Sequence, residues 1–276
     1  MIYSDINSTL IGEGRKFQGL NVEFILNLYE KYQIDLRQVR EYQRELHREK
    51  GYSMSEKYRI YAIANSVLSR FGIQQQNKAK LMHPQFDDIE AEITYLLVRE
   101  FKPKNIVEIS PCGGWSTSWL LNAIKNNKFG ELYSYDIVDD STKTLPEDLT
   151  EKRWHFILGD VKENIEELPL TIDYLFMDSD HSADFAQWYI QRIFPRIRAG
   201  TPISVHDVFH ATKPCPNSEG SVIIDWLEER GISYFTASSA KEKTVNNKIM
   251  SMKKELNMKK SIHFVHHNSA IFFIYK

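Results

Sequence analysis

Carboxylates and histidines recur at the ends of short apolar runs in this sequence, and they are the residues best able to do chemistry. Glu108 stands near the end of the run Asn-Ile-Val-Glu-Ile and precedes the small-residue turn Ser-Pro-Cys-Gly-Gly, which leads into an amphipathic segment. This pattern predicts a strand, a tight loop and a helix N-terminus. Such a junction offers backbone N–H groups to an anion, while a strand-end carboxylate accepts from an ammonium or a hydroxyl. A ligand carrying both groups would fit; a purely structural turn is the alternative.

Four later apolar runs also end in an acid, namely Asp136, Asp160, Asp178 and Asp207. In an open parallel sheet the carboxyl ends of the strands share one edge, and that edge forms the ligand crevice. Asp136 follows the glycine turn at about the interval at which a nucleotide-binding unit places its ribose-binding acid. An isolated strand-end acid is more often a turn former or a helix cap. The series as a whole predicts one shared site.

The elements that would position these acids alternate along the chain from residue 82. The pattern predicts an α/β fold with a Rossmann-like, doubly wound, mostly parallel sheet. We predict helices over 89–101, 116–126 and 182–197, and strands over 105–109, 131–136, 154–158, 172–177 and 202–206. Residues 238–260, rich in Lys, Asn and Ser, are interpreted as an insertion or mobile loop before the apolar runs 262–265 and 270–275.

The first part of the chain differs from this alternating pattern. Helical spacing begins at Val22 and again at Ser55, with a charged segment over 35–50 between them. We predict a helical accessory region over 1–80, which ends in a polar linker over 74–80, and a second domain over 81–276. The charged segment mixes both signs, which favours a solvated helix face over a nucleic-acid patch.

Composition narrows the class of protein. The 276-residue chain has a net charge of −2, so no overall field points to nucleic acid or an anionic membrane. No apolar stretch is long enough to span a bilayer, and the first residues lack the features of a secretion signal, so we expect a cytoplasmic protein. Cys112 and Cys215 are expected to be free thiols, and they are too few for a cysteine-based zinc site.

Seven motifs between residues 81 and 276 occur together. They include Val-Glu-Ile-Ser-Pro-Cys-Gly-Gly-Trp-Ser-Thr, Ile-Asp-Tyr-Leu-Phe-Met-Asp-Ser-Asp-His and His-Asp-Val-Phe, and their ranges are 107–117, 135–136, 159–160, 172–181, 198–200, 206–209 and 267–273. The combination resembles class I S-adenosylmethionine-dependent methyltransferases, more narrowly the catechol O-methyltransferase-like and macrocin O-methyltransferase-like small-molecule enzymes. One departure is plain, because Ser110 stands where the family commonly has the glycine of Glu-x-Gly.

The resemblance implies that S-adenosylmethionine is the cofactor and that it binds at the carboxyl edge of the sheet. Carboxylates and hydroxyls there accept from the cofactor's amines and ribose hydroxyls, and loop amides hold its carboxylate. The implied contacts are Glu108, Ser110 and Ser116 with the loop residues Pro111, Gly113 and Gly114 at the methionine part, Asp136 at the ribose, Asp160 near the adenine amine, and Asp178 beside them.

Methyl transfer to oxygen is an in-line displacement that needs a more nucleophilic acceptor hydroxyl, produced by a general base or a divalent cation. The resemblance implies His181 as the base. Metal ligands of the metal-dependent relatives match Asp178, His206 and Asp207, with His206 replacing an acid. A nitrogen donor weakens the oxygen shell that Mg prefers, which brings Mn, Fe or Zn into consideration. The alternative is a metal-free pair in which Asp207 orients a basic His206, and both readings remain open.

We therefore predict an enzyme that transfers a methyl group to a hydroxyl of a small molecule such as a sugar, a polyketide or a phenol in natural product biosynthesis. The expected partner is this small-molecule acceptor, with no nucleic acid and no membrane. The N-terminal helices would cover the active site or form a homodimer contact. The alternative is a non-catalytic member of the same fold that binds a nucleotide-like ligand or a partner protein.

Overall fold

A seven-stranded sheet organises the part of the chain that the computed structural model describes, which is residues 19–50, 82, 84, 86–263 and 267–276. Its strand order is β3-β2-β1-β4-β5-β7-β6, with β7 antiparallel to both of its neighbours and the first five strands parallel. The order reverses at β1, so the crevice for a ligand lies at the carboxyl ends of β1 and β4. The strands are β1 Asn105–Ile109, β2 Glu131–Asp136, β3 Trp154–Leu158, β4 Tyr174–Met177, β5 Pro202–Val205, β6 Tyr234–Thr236 and β7 Ile271–Ile274. The predicted doubly wound fold is confirmed.

Helices cover both faces of this sheet. They are α1 Val22–Lys31, α2 Gln33–Lys50, α3 Asp88–Phe101, α4 Trp115–Asn127, α5 Ser141–Thr144, α6 Glu147–Thr150, α7 Ala183–Arg192, α8 Glu219–Glu229 and α9 Lys243–Glu255. None of the described helices is both long and apolar enough to cross a membrane.

The sheet separates two hydrophobic cores, because successive strand residues point to opposite faces. Ile106, Tyr174 and Phe176 face one core, which they share with α1 to α4 and with Ile249 of α9. On the opposite face, side chains such as Leu175 pack against α7 and α8. The N-terminal helices α1 and α2 are therefore packed on the same core as the sheet, and the division of the chain at residue 80 stays a prediction.

A buried ionic cluster joins the N-terminal helices to α9. Glu92, fully buried on α3, pairs with Arg40 of α2 and accepts from Lys253 of α9 at 2.8 Å and from the Tyr29 hydroxyl at 2.7 Å. Arg40 also donates to the backbone oxygen of Met258 at 3.0 Å. One buried carboxylate of α3 thus binds to side chains of three other helices, and losing a partner of a buried charge is costly.

Two sequence expectations need correction, and two lie outside the described residues. Residues 243–255 are not a loop but helix α9, because Val245, Ile249 and Met252 recur at helical spacing and form its packed face; the interpretation of 238–260 as an insertion stays a prediction. Helix α8 and strand β6 were not predicted. The predicted 182–197 helix ends at Arg192 and continues as a 3₁₀ turn over Phe194–Arg196, because Pro195 has no N–H to donate. The helix from Ser55 and the 74–80 linker lie outside the described residues.

The ionic cluster predicts a large stability effect from a small change. Glu92→Gln leaves Lys253 and Arg40 buried without their shared counter-charge, so the free energy of unfolding should fall by about 3 kcal/mol. Urea unfolding followed by circular dichroism measures this. The control is Asp148→Asn, which breaks the exposed Lys125–Asp148 pair and should cost about 0 to 1 kcal/mol. A loss at Glu92 no larger than the control's would contradict a structural role for the cluster.

Candidate active site

The turn after β1 is built from left-handed residues. Ser110, Cys112 and Gly114 have φ of 65°, 48° and 82°. At Gly114, which precedes α4, an added Cβ would lie 2.9 Å from Leu145 Cγ, so glycine is required there. Ser110 adopts the same left-handed region, at a cost of roughly 1 kcal/mol for a residue with a side chain. The turn therefore keeps a conformation suited to glycine although serine occupies its first position.

Glu108 lies beneath this turn and is fully buried. Its carboxylate accepts from three hydroxyls, Ser116 at 2.6 Å, Thr117 at 2.9 Å and Ser134 at 2.6 Å. Burial raises the pKa of Glu108 to about 7, although these hydroxyls act in the opposite direction. Glu108 and Ser116 thus bond each other and fasten β1, β2 and the start of α4 together behind the turn.

Beside the turn, a cavity of about 160 Å³ opens at the carboxyl ends of β1 and β2. Ser110, Asp136 and Asp160 line it, as do Ile137 and Phe185. Three of the predicted cofactor residues therefore meet at one cavity, whereas Glu108, Pro111, Gly113, Gly114, Ser116 and Asp178 are not among the residues that line it.

Asp136 holds the wall of this cavity in place. Its Oδ2 accepts from the Cys112 N–H at 2.8 Å and its Oδ1 accepts from the Val138 N–H at 3.1 Å. Burial raises the pKa of Asp136, while the N–H groups that donate to it oppose that rise. Each carboxylate oxygen has a further lone pair, so Asp136 can orient the turn and still accept from a ligand.

The predicted catalytic residues meet at the neighbouring strand ends of β4 and β5. Ligand atoms of Asp178, His181 and His206 all lie within 4.8 Å of one another. His206 Nδ1 is 3.1 Å from Asp178 Oδ1 and 3.3 Å from Asp207 Oδ1. His181 Nε2 is 3.5 Å from Asp178 Oδ1 and 3.6 Å from Asp207 Oδ2. We call these four residues the His–Asp cluster.

Each of the two imidazoles is hydrogen-bonded to a buried glutamate that was not predicted from the sequence. Glu90 Oε1 is 2.9 Å from His206 Nε2, and Glu219 Oε2 is 2.9 Å from His181 Nδ1. They lie 116 and 38 residues from their histidines in the chain. The only local signal is their place in the first turn of α3 and of α8, where an acid ordinarily caps the helix.

The carboxylates control protonation in the cluster. Burial opposes protonation of His206, but Asp178 and Glu90 outweigh it and hold its pKa well above the usual range. Burial likewise opposes the charge on His181, whose pKa is nonetheless raised by Glu219 and Asp178. For Asp207, burial is outweighed by His206 and His210, which lower its pKa. The cluster is therefore built to hold positive charge between its carboxylates.

Two residues of the cluster have unusual backbone conformations. His181 and Asp207 have φ of 57° and 55°, in the left-handed region that non-glycine residues seldom adopt. The backbone N–H of Glu219 donates to the carbonyl of His181 at 2.8 Å and so helps to hold that conformation. Observed strain of this kind concentrates at functional sites.

The raised pKa of Glu108 predicts a pH-dependent stability difference. The folded chain keeps a proton on Glu108 up to about pH 7, whereas the unfolded chain releases it near 4.5, so ionisation removes stability as pH rises through this window. Glu108→Gln cannot ionise. Its free energy of unfolding, relative to the unmodified chain, should rise by about 3 kcal/mol from about pH 4 to about pH 8. Urea unfolding at a series of pH values tests this, and a flat difference would rule out the buried proton.

Residues 107–208 match a family model described as a methyltransferase domain. A search of curated proteins gives no match to this sequence.

Solved structures similar to this one include three methyltransferases. The O-methyltransferase TomG from Streptomyces achromogenes, involved in tomaymycin synthesis and solved with S-adenosylmethionine (SAM), is 14% identical with a TM-score of 0.48, over 78% of this chain and 89% of that one. An O-methyltransferase from Bacillus cereus in complex with SAH is 15% identical with a TM-score of 0.46, over 77% and 88%. SAH-bound PaMTH1 from Podospora anserina is 13% identical with a TM-score of 0.48, over 82% and 97%.

The family match runs from within β1 to the residues just after β5, and it includes the turn after β1, Asp136, Asp160 and the whole His–Asp cluster. Residues 107–208 of this chain are therefore similar to a methyltransferase domain.

Proposed function

We propose that the protein transfers a methyl group from S-adenosylmethionine to a hydroxyl of a small-molecule acceptor. The observation that carries this proposal is that a cavity at the β1 and β2 ends, whose lining includes Ser110, Asp136 and Asp160, adjoins the His–Asp cluster at the β4 and β5 ends. One subsite can bind a nucleoside and the other can deprotonate a hydroxyl. Their adjacency is what an in-line displacement requires, because the donor and the acceptor must be held in contact.

The cavity suits the nucleoside part of the cofactor. Asp136 would accept from the ribose hydroxyls with the lone pairs that Cys112 and Val138 leave free. Asp160 Oδ1 accepts from the Lys162 N–H at 2.8 Å, and its other oxygen is available to the adenine amine. The Ser110 turn and the start of α4 would provide N–H groups for the methionine carboxylate.

His181 is the better placed of the two histidines to act as the base. Its side chain is 34% exposed, whereas that of His206 is 4% exposed and lies between Glu90 and Asp178. With Nδ1–H donating to Glu219, His181 presents Nε2 to the cluster and can take a proton from an acceptor there. In the alternative base pair of His206 and Asp207, burial shields the His206 imidazole from an acceptor, although the Asp207 side chain is 29% exposed.

Asp178, His206 and Asp207 would hold a divalent metal in the proposed site. The fit is supported by the convergence of one imidazole nitrogen and two carboxylate oxygens at separations of 3.1 and 3.3 Å. A bound dication would lower the pKa of an acceptor hydroxyl. The chain's own part is to orient the acceptor, to receive its proton at His181 Nε2 and to exclude water.

The cofactor subsite predicts a loss of affinity on truncation of Asp136. Asp136→Ala removes the acceptor for two ribose hydroxyls and should weaken S-adenosylmethionine binding by about 1 to 3 kcal/mol, measured by calorimetry. Asp184→Ala, an exposed acid on α7 outside the cavity lining, is the control and should bind normally. If the unmodified chain binds no S-adenosylmethionine at millimolar ligand, the proposal is lost and the non-catalytic reading replaces it.

The base assignment predicts different effects at the two histidines. His181→Ala should lower turnover by roughly 10² to 10⁴ while cofactor affinity changes little, because a positioned base contributes that much to rate. Methyl transfer followed by mass spectrometry against a panel of sugars, polyketides and phenols measures turnover, and calorimetry measures affinity. His155→Ala, an exposed histidine on β3, is the control. Near-normal turnover of His181→Ala together with an inactive His206→Ala would assign the base to His206.

A further inference from the structure

The atoms of the His–Asp cluster have the spacing of metal ligands. His206 Nδ1 lies 3.1 Å from Asp178 Oδ1 and 3.3 Å from Asp207 Oδ1. Nitrogen and oxygen ligands at 2.0 to 2.2 Å from a metal, at octahedral or tetrahedral angles, lie about 3.0 to 3.5 Å from each other. Each of the two oxygens therefore lies at the separation from His206 Nδ1 that adjacent ligands of one ion have.

Glu90 fixes which nitrogen of His206 faces these oxygens. Glu90 is 1% exposed and accepts from the Nε2–H of His206 at 2.9 Å, so the Nδ1 atom faces Asp178 and Asp207. The two carboxylates favour a positive charge at Nδ1, which is either a proton that donates to Asp178 at 3.1 Å or a metal dication that replaces this proton. A buried carboxylate behind a ligating imidazole is also the usual arrangement around protein-bound metals.

Glu90 cannot turn away from His206, because both of its oxygens have further partners. Oε1 also accepts from the Asp87 N–H at 3.0 Å, and Oε2 accepts from the Ala270 N–H at 2.9 Å. The imidazole is therefore held in place before any ion binds. The methyltransferase family model matches residues 107–208 and so does not include Glu90.

We infer that Glu90 is a positioning residue that holds His206 as the nitrogen ligand of a first-row transition-metal dication, bound together with Asp178 and Asp207 in preference to magnesium. The inference rests on the proposed methyl-acceptor site and specifies its metal. Magnesium prefers a complete oxygen shell, whereas an imidazole ligand favours Mn, Fe, Co or Zn. His181, more exposed and oriented by Glu219, stays outside the ligand set as the base.

Cobalt provides a test that is independent of catalysis, because Co²⁺ bound to an imidazole and carboxylates has visible ligand-field absorption. Chelator-treated protein titrated with Co²⁺ should bind one ion per chain and should keep it in a large excess of Mg²⁺. Glu90→Gln, which keeps the size of the side chain, should weaken Co²⁺ binding by about 10- to 100-fold. His206→Ala and Asp178→Asn should lose the ion, and His181→Ala and His155→Ala should retain it.

A second variant is designed to prefer Mg²⁺ over Co²⁺. His206→Asp combined with Glu90→Gln gives an all-oxygen site in which the new carboxylate does not face a second carboxylate at position 90, and it should bind Mg²⁺ more readily than Co²⁺. Thermal melting and S-adenosylmethionine calorimetry on each variant show whether it is folded.

The outcomes separate the inference from the proposed function. Failure of the unmodified protein to bind Co²⁺ stoichiometrically, or its displacement by equimolar Mg²⁺, overturns the metal inference even if methyl transfer persists in chelator. Loss of Co²⁺ from His181→Ala overturns the ligand set, because His181 would then be a ligand. Unchanged Co²⁺ affinity in folded Glu90→Gln overturns the positioning role. Absence of S-adenosylmethionine binding bears on the proposed function alone.

Discussion

The carboxylate of Glu90 is the constraint on which the site depends, because it joins three separate parts of the fold at one buried point. It accepts from the residue that precedes α3, from His206 just after β5 and from Ala270 just before β7. An unpaired carboxylate in this core would be strongly destabilising, so the three partners must be in register for the chain to fold. The requirement for hydrogen-bond partners thus fixes the geometry of the strand ends as well as the imidazole.

Glu219 orients the imidazole of His181, as Glu90 orients that of His206. It attaches to His181 through its side chain and through its backbone N–H, which ties the start of α8 to the loop after β4. The two glutamates place opposite ends of the cluster under the control of helices on opposite faces of the sheet. A change in the packing of either face would therefore reach one imidazole directly and the other only through Asp178 and Asp207.

The sequence predicts the sheet well because its strands are short apolar runs with clear ends. The predicted bounds of β1, β2 and β3 agree with the structure residue for residue, and the predicted cluster of strand-end acids and histidines does assemble. Helix α9 was predicted to be a loop because Lys, Asn and Ser dominate its composition. Only a few apolar residues at helical spacing indicate that one of its faces is packed. Glu90 and Glu219 were not recognised because an acid in a first helical turn resembles an ordinary cap, and only the fold brings it to a histidine.

The buried ionic cluster around Glu92 can be completed only late in synthesis of the chain. Lys253 reaches Glu92 across 161 residues, and Arg40 reaches Met258 across 218. Contacts of such sequence separation form late, because a long loop must close before they contribute. On a ribosome, α1 and α2 emerge long before α9, so the polar core that holds them cannot be completed until the last strand is nearly made. Until then the apolar face of these helices has an incomplete partner surface and stays exposed to aggregation.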